Sequence, residues 1–513
     1  MNFYFSDWLR RVDLRFKCAL FSAFAFGILS QGMGLFNKLS VHDDVMNYGV
    51  GATYISGRWM LEILSRLEVL FFGDGHYSLP CYNGFFAIFM IALSACLIIS
   101  ILEIRSPVLC VFISGLMVCF PVITSIFGYM FTLHFYMISL LFGVSGAFCI
   151  CKSEKWWFWL IGIILIGASV GIYQAFFPAI ITVILFYLIA YVIKCDDFRK
   201  VLKKVCLTGA CCAMSMGLYF AINNLSLSYH HSKLTNYRGI DSMGKSSLHE
   251  YWVRIIDAYR EFFKPARGTS FYMYPGTIRY VYRIVVLLSI LLSIILFFKL
   301  LLRAKKAHAL ILAFLLTLVP LSVNFIFVMT GRDVVHSLMV YSQLFTFVYF
   351  AWLLENLPLE HHRAEKAVSS IVTVVFAALL LMYCRVDNRC YLKATYAQQE
   401  AISYFTTLIT QIKEADEYRD ELPVVFLNSN SDTSLRPGDD GHLSDIAYLP
   451  YNLDVNGYIN NYTWRAFMIQ WTGYSPVIAN PDDFVELDEV KLMPHYPDDG
   501  SIKVINDTVV VKF

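Results

Sequence analysis

Residues 40–48, Ser40-Val-His-Asp-Asp-Val-Met-Asn-Tyr48, and the nearby Tyr54-Ile-Ser-Gly-Arg-Trp59 hold the side chains best suited to chemistry. Asp43 and Asp44 are adjacent carboxylates that follow the first long apolar run, 16–36. Two carboxylates beside a bilayer are costly unless something pairs or uses them. Arg58 follows closely, with Trp59 and Tyr54 as interface anchors. Sugar transfer from a phosphate leaving group needs a base for the acceptor hydroxyl and cations for the developing phosphate charge. A carboxylate pair and a guanidinium at one membrane edge supply both. Moderate desolvation would strengthen the base by raising its pKa. A solvated loop, or a helix start capped by Asp, is the competing account of the pair.

Other residues extend this set. Arg58, Arg332, His336 and Arg279 are candidates for the donor phosphate. Arg332 and His336 are four apart, on one face of an expected helix start where anions are favoured; an ion pair with Asp333 is the alternative role for Arg332. Tyr173 and Gln174 offer an aromatic face and an amide to sugar hydroxyls, or hydrogen bonds between helices. His42 and Tyr48 are further candidates for sugar contacts. His134, inside an apolar run, reads as a packing histidine. Most of the 13 cysteines lie in apolar runs and read as small packing residues, with Cys384 and Cys390 as one candidate pair. No Cys/His set has zinc spacing. No cofactor is expected, although the neighbour of the base could orient a divalent cation.

These residues must be positioned by membrane helices. Of 513 residues, 58% are hydrophobic and 16% charged, and mean hydropathy is +0.57. A soluble chain is about half apolar and a quarter charged. About eleven runs are long enough to span hydrocarbon: 17–36, 82–102, 107–127, 129–150, 156–172, 174–194, 205–223, 280–300, 308–329, 334–354 and 367–384. The basic N-terminus reads as a signal anchor, with no small-residue cleavage site. Net charge of +2 points to no nucleic acid. Lys and Arg gather in alternate short loops, which predicts a cytoplasmic N-terminus. Outside would then lie 37–81, 224–279 and the C-terminal region. Polar residues of 57–72 share one helical face, as in a helix lying on the membrane surface. The expected fold is an α-helical polytopic membrane protein, with a domain over 1–384 and a small periplasmic α/β domain over 385–513. The latter shows a helix near 393–418 and strands at 422–427 and 504–513.

The order of first span, His42-Asp-Asp44, Tyr48, Ser56-Gly-Arg-Trp59, then Gly171-Ile-Tyr-Gln174 and a basic junction near Arg332, resembles the bacterial serotype-converting O-antigen glucosyltransferases (Gtr type II-like). The resemblance covers about 1–385. It implies membership of the GT-C superfamily, with undecaprenyl-phosphate glucose as donor and a lipopolysaccharide O-antigen hydroxyl as acceptor, on the periplasmic side of the bacterial inner membrane. It also implies that the base is one of Asp43 and Asp44, with Asp44 slightly favoured.

Two other functions compete. A transporter or flippase of lipid-linked sugar would place ionisable groups in broken mid-membrane helices, often within inverted repeats. Here the charges gather at one edge and no repeat is visible. An envelope scaffold would leave Asp43 and Asp44 expendable.

Overall fold

The computed structural model describes residues 11–45, 53–73, 75–236, 243–265, 273–331, 335–356, 362–428, 459 and 463–513. Tyr48, Arg332 and Asp333 lie outside the described residues, as does the side chain of His42. The chain divides into two compact units, one of residues 1–37 and 48–388, the other of 38–47 and 389–513.

The first unit is helical. Its elements are α1 (Leu14–Phe36), a 3-10 turn (Thr53–Ser56), α2 (Trp59–Phe72), α3 (Pro80–Leu102), α4 (Pro107–Cys119), α5 (Pro121–Phe127), α6 (Met130–Lys152), α7 (Trp156–Ile172), α8 (Phe177–Lys194), α9 (Phe198–Tyr229), α10 (Leu248–Phe263), α11 (Thr277–Leu302), α12 (Lys306–Val323), α13 (Ile326–Met329), α14 (Phe345–Asn356) and the start of α15 (His362–Glu414). Among the described residues, eight helices are long and apolar enough to cross a membrane, or nine if the bent pair α4–α5 is one span. These are the helices of a multi-pass membrane protein.

The bend of 40° between α4 and α5 has a local cause. Pro121 has no N–H to give the carbonyl of Met117, four residues back. The Tyr341 hydroxyl donates to that carbonyl at 2.9 Å, and Gln31 Nε2 donates to the next, Val118, at 3.1 Å. Backbone freed inside a membrane protein must find such partners.

The count of about eleven spans is not reproduced. Residues 334–354 do not form one span: they hold 3-10 turns Ser337–Met339 and Tyr341–Leu344, then α14 of 12 residues. At 1.5 Å per residue, α14 reaches about 18 Å, short of a bilayer core of about 30 Å. His336, Ser337, Ser342 and Gln343 are buried in this stretch, where polar side chains compete for backbone partners. α7, with 17 residues, is a shorter apolar helix. Nor is a disulfide formed. Cys384 and Cys390 are both free, and six residues of helix separate their Cα atoms by about 9 Å, beyond bridging distance.

The second unit packs the end of α15 on a three-stranded sheet of β1 (Val424–Leu427), β2 (Ile502–Ile505) and β3 (Thr508–Lys512), with α16 (Trp464–Thr472) beside it. β1 runs parallel to β3, with Val424 opposite Val509. β2 and β3 form an antiparallel hairpin, with Ile502 opposite Val511. The strand expected over 504–513 is therefore two strands. Asn506 and Asp507 turn the chain with φ of 51° and 53°, the left-handed pair that matches strand twist in a two-residue hairpin. Ala397, Ala401, Phe405, Leu408 and Ile412 recur every three or four residues on one face of α15 and bury against this sheet.

Candidate functional site

Three polar clusters emerge, two in the first unit and one in the second. In the first unit the segment 56–59 interlocks with 171–174. Gly57 has φ +69°, and a Cβ there would lie 2.6 Å from the Tyr219 hydroxyl oxygen; only glycine fits this turn. A Cβ on Gly171 would lie 2.6 Å from the Trp59 ring, so the close approach of α2 to α7 also requires a missing side chain. Gln174 Nε2 donates to the Ser56 carbonyl at 3.0 Å and to the Tyr219 hydroxyl at 3.2 Å. The turn is thereby fixed, and Arg58 leaves it directly before α2.

Arg58 is half-buried. Its Nη1 donates to the Tyr136 hydroxyl at 3.0 Å, and its guanidinium carbon lies 5.8 Å from the Tyr136 ring centre and 5.4 Å from that of Tyr173. The two rings stack, with centroids 4.4 Å apart. The Tyr173 hydroxyl donates to the Leu338 carbonyl at 3.1 Å, and this ties the Arg58 wall to the segment that begins at His336. The sequence candidates Arg58, Tyr173 and Gln174 thus come together, with the 336–338 segment joined through Tyr173. Arg279 stands at the head of α11, half-buried, one turn before Tyr282. A guanidinium against aromatic faces keeps its charge while losing water on two sides, which strengthens its attraction for a phosphate.

In the second unit Asp43 and Asp44 lie in the 3-10 turn His42–Val45. Val41 and Val45 are buried in the core of that unit with Phe405, Trp464 and Phe467. The Gln398 side chain clamps the approach: its Oε1 accepts from Ser40 N at 2.9 Å, and its Nε2 donates to the Lys38 carbonyl at 3.1 Å. The Asp44 side chain is 1% exposed and ion-paired with Lys38. Asp43 is half-buried. The pair is therefore asymmetric, which the sequence did not reveal.

A third cluster was missed as a site. Glu68 on α2 accepts from His76 Nδ1 at 2.5 Å and from His134 Nε2 at 3.0 Å, while His76 Nε2 faces Ser65 Oγ at 2.7 Å. His134 packs, as expected, but it also binds a carboxylate. Burial raises the Glu68 pKa, yet hydrogen bonds from the two imidazoles outweigh it and hold the carboxyl down at about 2. The available signal was a glutamate on the polar face of 57–72, with one histidine just before the next span, His76, and another inside the span 129–150, His134. Among the described residues, no group of three or more His, Cys, Asp or Glu is arranged to hold a metal ion.

Compared with known proteins, the chain matches the family model described as Glucosyl transferase GtrII over residues 32–347. No curated protein and no solved structure matches it.

Proposed function

The chain belongs to the glucosyl transferase GtrII family and is a glycosyltransferase; from that premise we propose that it moves glucose from undecaprenyl-phosphate glucose to the O-antigen of lipopolysaccharide, converting serotype. The fold is then GT-C-like, in the bacterial inner membrane. The N-terminus is cytoplasmic, the transmembrane transferase domain covers 1–384, and 385–513 forms a periplasmic domain. Lys152, Lys194 and Lys204 at one end of the helices support that orientation. Membership in a glycosyltransferase family sets the transporter reading aside.

One observation carries the proposal: Arg58 rests on the stacked Tyr136 and Tyr173 inside the family-matched region. Arg58 takes the donor phosphate, helped by Arg332, His336 and Arg279. Tyr173 supplies a sugar-facing wall, with His42 and Tyr48 contacting hydroxyls. Gln174 acts by holding the Arg58 turn, since its amide already serves Ser56 and Tyr219.

The base is one of the carboxylate pair. The sequence slightly favoured Asp44, but burial and the Lys38 partner fix that side chain and neutralise it. Asp43 is therefore assigned as the base and Asp44 as its support. In the reaction, an acceptor hydroxyl oxygen attacks C1 of glucose while the bond from C1 to the phosphate oxygen breaks. The hydroxyl proton passes to Asp43, and undecaprenyl phosphate leaves with its charge met by Arg58. A donor with a single phosphate does not strictly require a metal.

The test is mass spectrometry of O-antigen from cells with and without the gene. A gain of one hexose per repeat is the expected result. An unchanged O-antigen mass, with the protein present in the membrane, would overturn donor and acceptor together.

A further inference from the structure

Helix α2 is held to α6 at two places. At its head Arg58 donates to Tyr136. About 15 Å farther along, at 1.5 Å per residue, Glu68 accepts from His134, which precedes Tyr136 by two residues on α6. The second contact belongs to a chain of four side chains, Ser65, His76, Glu68 and His134, of which Ser65, His76 and His134 are buried.

The proton positions along this chain follow from its chemistry. An ionised carboxylate only accepts, so His76 carries its proton at Nδ1 and His134 at Nε2. Ser65 then donates to His76 Nε2. All three contacts have a donor facing an acceptor. Such a chain is directional. Apolar attraction is not, and a helix held only by Trp59 and Leu61 against its neighbours could roll or slide by a fraction of a turn. The far end of α2, Leu70, Phe71 and Phe72, is exposed, with one edge-on ring contact from Phe72 to Tyr82.

We propose that Glu68, gripped by His76 and His134, is a positioning residue for donor binding: it fixes the rotation and register of α2 on α6 and so aims the Arg58 guanidinium. This rests on the reading that Arg58 contacts the donor phosphate. Misplacing a binding group by about 1 Å can cost up to about 10²-fold in rate, so a loosened α2 would be felt at Arg58 although Glu68 touches no substrate.

The experiment is a double-mutant cycle in purified membranes, with synthetic polyprenyl-phosphate glucose as donor and isolated O-antigen as acceptor. Glu68→Gln is expected to raise the donor KM about tenfold, leaving acceptor KM and protein abundance unchanged. Arg58→Ala tests the underlying reading by itself. Added to Arg58→Ala, Glu68→Gln should cost nothing further, because residues acting through one contact are not additive. His134→Phe should match Glu68→Gln, whereas His134→Gln, which keeps an N–H in reach of the carboxylate, should recover most of the loss. Independent, multiplying losses would overturn the proposal, as would an unchanged donor KM in Glu68→Gln. An unchanged donor KM in Arg58→Ala alone, with Glu68→Gln impaired, would sink the Arg58 reading and the aiming role together. If Arg58→Ala is impaired and Glu68→Gln is not, only the aiming role falls.

Discussion

Glu68 and Glu103 sit near opposite ends of the same two helices and have the same arithmetic: one carboxylate, two bases, and a pKa held at about 2. Glu103 caps the end of α3 and accepts from Lys152, at the end of α6, and from Lys194, at the end of α8, both at 2.7 Å. Its depression comes first from those two ammonium donors. It is about half exposed, so water and salt screen the pairs and their worth is small. Glu68 is paired with buried imidazoles on a helix whose head carries Arg58. Equal shifts thus have unequal consequences. A pKa reports how well a charge is solvated by its partners; what depends on that charge is decided by the element it holds.

The largest effect that sharpens this contrast is at Arg58. Losing a donor aimed at developing charge typically costs about 10²–10³-fold, so Arg58→Ala should lower turnover at least about tenfold, while Lys194→Ala, at the other end, should leave it within about twofold. Transfer assays on membranes of matched protein content compare them. Similar losses would erase the contrast.

Acid stability comes next. Both carboxylates have a folded pKa below their ordinary 4.5. Each therefore contributes stability that is fully present above about 4.5 and is lost as pH falls toward about 2. The thermal midpoint in detergent should fall through that window. Glu68→Gln, which disturbs hydrogen bonds to two buried imidazoles worth about 1–3 kcal/mol, should lower the midpoint at neutral pH and flatten the acid slope. Glu103→Gln should do so less.

Salt gives the smallest and most selective effect. Raising ionic strength to about 1 M shortens the screening length to about 3 Å. The difference between wild type and Glu103→Gln should shrink, while that between wild type and Glu68→Gln persists. Equal sensitivity would mean that the Glu68 chain is as solvated as the Glu103 pairs.

The sequence made some of this legible. Gly57, Arg58 and Trp59 stood out, as did Gly171 to Gln174, where sugar contacts and hydrogen bonds between helices were equal readings and Gln174 makes the latter. That Trp59 packs against Gly171 and Gln174 holds Ser56 is a long-range pairing that no periodicity encodes. Hydropathy located most spans but failed at 334–354, where average apolarity hid the buried His336, Ser342 and Gln343. Glu68 and His134 were each visible, one as a polar face and the other as packing, and only three dimensions join them. The acid turn was assigned to an outer loop of the membrane domain. Its grouping with residues 389–513 rests on the burial of Val41 and Val45 among Phe405, Trp464 and Phe467, a long-range packing that hydropathy does not encode.

The most direct test of the account is single-turnover glucosyl transfer from synthetic polyprenyl-phosphate glucose to O-antigen by wild type, Asp43→Asn and Asp44→Asn in membranes of equal protein content. General-base catalysis contributes about 10²–10⁴-fold. Asp43→Asn should therefore lose at least about 10²-fold in rate with donor binding retained, and Asp44→Asn should lose less, through the position of its neighbour. Transfer at the wild-type rate by Asp43→Asn would contradict the assignment and leave the acid turn a structural element of the second unit.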